Sequence, residues 1–100
     1  MNELTAAQRQ YVRRLAHDLP ALVHIGQKGL TEQVLTNIDQ ALTANELIKV
    51  KCVAERDERP TMAATIANQT RSHLIGLIGN ILILYRQQAD PEERKIELPR

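Results

Sequence analysis

The chain has 100 residues, 43% hydrophobic and 25% charged, with a net charge of +1. That length allows one domain, and that balance belongs to a folded globule rather than a disordered chain. A near-neutral total does not announce a nucleic-acid binder, so any such role must rest on how the charges are placed.

Thr5 can cap a first helix running to about Asp18, with Leu4, Ala7, Tyr11, Leu15 and Leu19 on one apolar stripe. Arg9, Arg13 and His17 follow at four-residue spacing on another face, with Arg14 beside them. Pro20 ends this helix, because it lacks an amide and constrains Leu19. Residues 21–25 are short, apolar and rich in branched side chains, and read as a strand. Gly26-Gln27-Lys28-Gly29 is a loop. Thr31 caps a second helix with Val34, Leu35, Ile38, Ala41 and Leu42 inward, and Asn45 suits its left-handed stop.

Residues 47–54 read as the second strand. Ile48, Val50, Cys52 and Ala54 face one way, and Leu47, Lys49, Lys51 and Val53 the other. A charged turn at 55–59 leads to Pro60 in the first turn of a third helix, whose apolar face is Met62, Ala63, Ile66 and Ala67. Two further strands flank Gly79-Asn80, a good hairpin signal. By alternation, Leu74 and Ile78 oppose Ile75 and Leu77, and Ile81 and Ile83 oppose Leu82 and Leu84. Both faces are therefore apolar, and the second needs cover from the first helix or from a partner.

The expected fold is α/β: a single compact domain over residues 1–86, in the order α-β-α-β-α-β-β. Strand–helix–strand units favour parallel crossovers and the hairpin is antiparallel, which gives a four-stranded mixed sheet with three helices. The strand order stays open. Residues 87–100 form a polar tail, expected to be extended and dispensable for folding, although Ile96 and Leu98 could dock weakly.

Little here suggests an enzyme. His17, His24 and His73 lack metal-ligand spacing, Cys52 sits among core residues, and Ser72 has no usable base beside it. No Walker loop or dinucleotide fingerprint occurs, and neither a cofactor nor a small-molecule substrate is expected. A single cysteine excludes an internal disulfide and fits a reducing compartment, the cytoplasm. The polar residues 1–10 do not read as a signal peptide, and the longest apolar run, 81–85, is too short to span a membrane.

Charge placement is more informative. Residues 1–28 carry Arg9, Arg13, Arg14 and Lys28 against Glu3 and Asp18, while acids gather at 55–58 and in the tail. The two glycines of Gly26-Gln27-Lys28-Gly29 permit unusual backbone and close approach. Lys28 adds charge, and a helix N-terminus follows. Together these make a phosphate cradle or a simple turn. Arg9, Arg13 and Arg14 form either a phosphate-binding face or a solubilising one, and Lys49 and Lys51 either extend it or guard a sheet edge. With no Phe or Trp, and only Tyr11 and Tyr85, the chain cannot build a broad base-stacking platform.

Several segments together resemble the YhbY family, the stand-alone bacterial form of the CRM (chloroplast RNA splicing and ribosome maturation) domain. They are Leu15-Ala16-His17, Ile25-Gly26-Gln27-Lys28-Gly29-Leu30-Thr31-Glu32, Glu46-Leu47-Ile48-Lys49-Val50-Lys51 and Ile78-Gly79-Asn80-Ile81-Leu82-Ile83-Leu84-Tyr85-Arg86. Arg94-Lys95-Ile96 with Leu98-Pro99 echoes the family's tail. The resemblance implies a domain similar to the C-terminal domain of a bacterial translation initiation factor. It also implies RNA binding and association with ribosomal RNA in precursor large ribosomal subunits, with the family's glycine-x-x-glycine loop at Gly26 to Gly29. Asn80 departs from it, standing where members often carry a basic residue.

The expected function is a non-enzymatic RNA-binding assembly factor using Gly26, Gln27, Lys28, Gly29, Arg9, Arg13, Arg14, Lys49 and Lys51. The alternative is a protein-interaction or dimerisation module without direct RNA binding, using apolar surface on the last two strands.

Overall fold

A computed structural model describes residues 3–100. Three helices, α1 (Ala6–Ala16), α2 (Glu32–Asn45) and α3 (Arg59–Thr70), alternate with strands β1 (Ala21–Ile25), β2 (Leu47–Cys52), β3 (His73–Ile78) and β4 (Ile81–Tyr85). The strands form one sheet in the order β1-β2-β4-β3. β1 runs parallel to β2, while β4 is antiparallel to both of its neighbours. This is the single mixed α/β domain that the alternating pattern predicts.

The sheet is covered on both faces. On the inner face, Ile38 and Leu42 of α2 and Ala63 and Ile66 of α3 close over Val23, Ile25, Ile48, Val50, Cys52, Leu82 and Leu84. On the outer face, Val12 and Ala16 of α1 pack on Leu47, Ile75, Ile83 and Tyr85, joined by Leu4, Tyr11, Ile96 and Leu98. The two-faced apolarity of β3 and β4 is thus satisfied within the chain, by α1 and the C-terminal segment together. Only Ile78, 55% exposed, remains an open large apolar residue on these two strands. The apolar surface that a docking module would use there is largely spent.

Several local readings change. The capping box at Thr5 and Gln8 starts α1 as expected. Its buried side chains are Val12 and Ala16, however, and Leu15 and Leu19 are 41% and 38% exposed. The true inward stripe is turned by about one residue, or ~100°, from the one through Ala7 and Leu15. The helix also stops at Ala16, not Asp18. His17 N–H donates to Arg14 O and Leu19 N–H to Ala16 O, tight bonds that unwind the chain before Pro20.

β2 ends at Cys52, and Val53 is exposed. On β3, a register shift between Leu74 and Gly76 puts Leu74 and Leu77 on the inner face and Ile75 on the outer. A bulge breaks strict alternation, because its extra residue reverses the facing of everything after it.

The largest change is at the end of α2. Asn45 stays helical, and Glu46 takes the positive φ, at 64°. Glu46 is fully buried. Its Oε2 accepts Gln88 N–H at 2.8 Å, and its Oε1 accepts Lys95 N–H at 2.6 Å and Ile96 N–H at 2.9 Å. Gln8 Nε2 donates to Pro99 O at 2.9 Å. The C-terminal segment is therefore a strap rather than a loose tail. It contains a short 3-10 turn, Pro91–Glu93, and docks across the outer layer.

Candidate nucleic-acid interface

The parallel pairing of β1 with β2 builds the first part of the site. Ile25 pairs with Cys52 and His24 with Lys51, so the chain leaves this corner of the sheet directly into Gly26. Gly29 N–H then donates to Gly26 O at 3.0 Å, closing a four-residue turn whose tip is Gln27 and Lys28. Both tip residues are exposed.

The two glycines differ. Gly29 sits at φ +73°, a left-handed conformation that favours glycine, although a Cβ there would meet nothing within 4 Å. Gly26 has no such φ, and its surroundings are equally open. Nothing inside the molecule requires glycine at position 26. What its lack of a side chain leaves is room for something outside to approach the backbone.

Thr31 Oγ1 accepts Val34 N–H at 3.2 Å and caps α2 as the sequence predicts. Its first turn also carries the exposed Glu32, a negative charge that opposes an anion at this helix end. The positive character of the loop therefore rests on Lys28 more than on the helix.

Lys51 is exposed on the outer face, in register with His24 of β1 and Ile81 of β4. Lys28, His24 and Lys51 thus gather at one corner. Among the described residues, none of the three makes a side-chain hydrogen bond or ion pair with the protein. His24 is the addition here. Alternation along residues 21–25 places it outward, opposite the buried Val23 and Ile25, and that signal was available in the sequence.

The remaining candidates are partly committed. Lys49 is half-buried, with Nζ donating to His17 O at 3.0 Å, which satisfies a carbonyl at the C-terminal end of α1. Arg9 Nη2 donates to Leu74 O at 2.7 Å and holds α1 to β3. The Arg13 guanidinium lies over Gly76, where a Cβ would stand 3.8 Å from its Cζ and Nε. Arg14 is exposed and has no polar protein partner among the described residues. The candidates on α1 and β2 lie on the outer face of the sheet, and Lys28 lies at its edge, in the loop between β1 and α2. The structure separates those with no polar protein partner among the described residues, Lys28, Lys51, Arg13 and Arg14, from Lys49 and Arg9, which also tie α1 down.

Neither tyrosine offers a stacking surface, since Tyr11 is half-buried and Tyr85 fully buried. Among the described residues, no three His, Cys, Asp or Glu side chains are grouped to hold a metal. No described helix is long and apolar enough to cross a membrane.

Residues 4–86 match the sequence profile of the CRS1 / YhbY (CRM) domain. The chain belongs to that family. The match runs from the start of α1 through β4, so every candidate residue of the CRM domain lies inside it and the strap lies outside. An RNA-binding protein of Haemophilus influenzae is 43% identical over 101 residues, covering 100% of this chain and 99% of the relative. A Bacillus subtilis relative, named a probable RNA-binding protein, is 34% identical, covering 96% of this chain and 99% of its own. Among solved structures, a Staphylococcus aureus protein whose description proposes RNA binding superposes with a TM-score of 0.83 at 36% identity. That alignment covers 97% of this chain and 100% of the other. The CRM fold and its strap therefore have a counterpart along almost the full chain.

Proposed function

We propose that this CRM domain is a non-enzymatic RNA-binding protein that acts on ribosomal RNA in precursor large ribosomal subunits, in the cytoplasm, and assists their assembly. The observation that carries the reading is the corner where Lys51 and His24 share a cross-strand row that leads straight into the Gly26–Gly29 turn and Lys28. Cationic side chains without protein partners stand there beside backbone that no side chain shields. Such a surface suits phosphates and the shape of folded RNA, which contribute affinity and register rather than base identity. Arg13 and Arg14 extend it along α1, and Lys49 and Arg9 set the position of that helix while adding to the field. The relatives named for RNA binding support the same reading.

The test is RNA binding by the purified protein across a salt series, with a structured ribosomal RNA fragment and an unstructured strand of equal length. Affinity that favours the structured RNA and falls steeply with salt supports the proposal. No binding at low salt overturns it. Crosslinking in cells, followed by RNA sequencing, checks the ribosomal target. Reads spread over messenger RNA, without enrichment in large-subunit precursors, would remove the assembly role.

A further inference from the structure

The end of the sheet opposite the Gly26–Gly29 turn holds an open groove of about 1220 Å³, between the start of α1, the ends of β3 and β4, and the strap. Its volume exceeds the ~300–1,000 Å³ of ordinary ligand sites. Leu4, Ile96 and Leu98 supply apolar walls, and Arg71 stands among the lining residues. His73 and Tyr85 also line it, with ring planes inclined by 22° and centroids 6.3 Å apart.

Tyr85 Oη and His73 Nε2 are buried without a hydrogen-bond partner. An orphaned buried polar atom is costly, and natural proteins rarely keep one without a use. Two of them bordering one groove are a donor–acceptor pair in waiting. Burial pushes the Tyr85 phenol up to about 12, with Glu46 adding to the shift, so it keeps its proton as a donor. Burial first, and then Arg9, lowers His73, so its imidazole is neutral near pH 7 and Nε2 can act as donor or acceptor according to tautomer. Such a pair complements the adjacent N–H and C=O groups of a nucleobase edge. Glu3 and Glu97 also line the groove and weaken its positive field, which puts selectivity on these hydrogen bonds.

We propose that this groove accommodates one unstacked nucleotide of a bound RNA, its base edge hydrogen-bonded by Tyr85 Oη and His73 Nε2 and its phosphate against Arg71. The inference rests on the RNA-binding reading above. Both polar atoms are sealed in this conformation, so the nucleotide enters as the strap of residues 87–98 shifts outward. Together with the Gly26–Gly29 corner, at the far end of strands about 20 Å long, it gives the RNA a second point of attachment.

The test is an NMR titration of the whole protein with each ribonucleoside 5′-monophosphate, with inorganic phosphate, and with a single-stranded RNA oligonucleotide. Monophosphates and RNA should shift the His73 ring signals and the amides of residues 87–98. Tyr85→Phe deletes one hydroxyl and keeps the buried ring, so folding should be retained while nucleotide affinity falls about tenfold. Arg71→Asn keeps a residue tolerant of the left-handed φ of 55° and should weaken monophosphate binding in the same range. RNA binding with no response at His73, or unchanged affinity in both variants, overturns the groove while leaving the Gly26–Gly29 corner intact. Equal shifts from inorganic phosphate alone reduce it to an anion patch and overturn the base pocket. Monophosphate binding by a protein that binds no RNA overturns the RNA source instead, and leaves a site for free nucleotides.

Discussion

The two ends of the sheet treat their charges in opposite ways. At the Gly26–Gly29 corner, Lys28 and Lys51 make no polar side-chain contact with the rest of the described protein. At the far end, the carboxylate of Glu46 is fully buried and accepts three backbone amides. Arg86 nearby is similarly engaged, donating to Asp39 Oδ1 at 2.6 Å and to Thr70 O at 2.8 Å. A charge whose bonds are all made inside the molecule is structural. A charge left with only water is available to a ligand. That contrast separates the residues that hold the domain together from those that can grip RNA, and each can be perturbed without the other.

Glu46→Ala should have the largest effect. It strips the acceptor from the amides of Gln88, Lys95 and Ile96, but the strap can lift and let water replace it, which limits the loss. A destabilisation of about 2–4 kcal/mol is expected in urea unfolding, with the Lys28-dependent part of RNA binding, read as the salt slope, unchanged wherever the variant is folded. A loss below about 1 kcal/mol would show that the strap adds little, and that residues 1–86 suffice as the domain.

Gly29→Asp comes next and should act on both scales. A side chain at φ +73° costs about 1 kcal/mol, and the new carboxylate repels phosphate at the corner. RNA affinity should fall more than tenfold at low salt. Retained binding in this variant would place the RNA elsewhere.

Lys28→Ala should leave stability within about 0.5 kcal/mol while flattening the salt dependence of binding by roughly 0.7–0.9 in log–log slope. Arg14→Ala should act the same way, because it too lacks a polar protein partner. An unchanged slope in either variant assigns that residue to solubility.

A further effect is in pH. His73 is lowered by burial and by Arg9, so the unfolded chain binds its proton more readily than the folded one. Stability should therefore decline as pH falls below the ordinary histidine value of about 6.5, and His73→Gln should reduce that decline. Tyr85 is raised to about 12. The folded state thus keeps a proton that the unfolded chain gives up above about 10, so stability should also fall between these values, and Tyr85→Phe should remove that alkaline limb. A flat acid limb in the parent would mean that His73 is solvated.

Much of this was legible in the sequence because the dominant signals are local. Alternation in residues 47–52 sorts Ile48, Val50 and Cys52 from Lys49 and Lys51, Thr31 caps α2, and the hairpin turns at Gly79-Asn80. What was hidden depends on partners distant in the chain. The stripe of α1 could not be chosen between Leu15 and Val12 until the sheet beneath it was known. The bulge beside Gly76 reversed the facing of Leu77 and Ile78, and its one local mark, a lone glycine within a strand, does not say which residue is the extra one. Glu46 looked like an ordinary polar residue after a helix, with Asn45 the better left-handed stop. In that rarer conformation its carboxylate meets amides from the end of the chain. Likewise, sequence could supply Lys49 and Arg9 as basic, but not that their charges also tie down α1.

The amides that Glu46 accepts lie 42, 49 and 50 residues further along the chain. During synthesis the carboxylate therefore emerges well before any of its partners. Until residue 96 has left the ribosome, the outer layer lacks one wall, and Tyr85 lacks its cover from Ile96 and Leu98. The inner layer has no such debt, because its last strand is complete at Tyr85. Closure of the strap is thus a contact of long sequence separation, whose loop must be closed before its three hydrogen bonds and its apolar cover are gained.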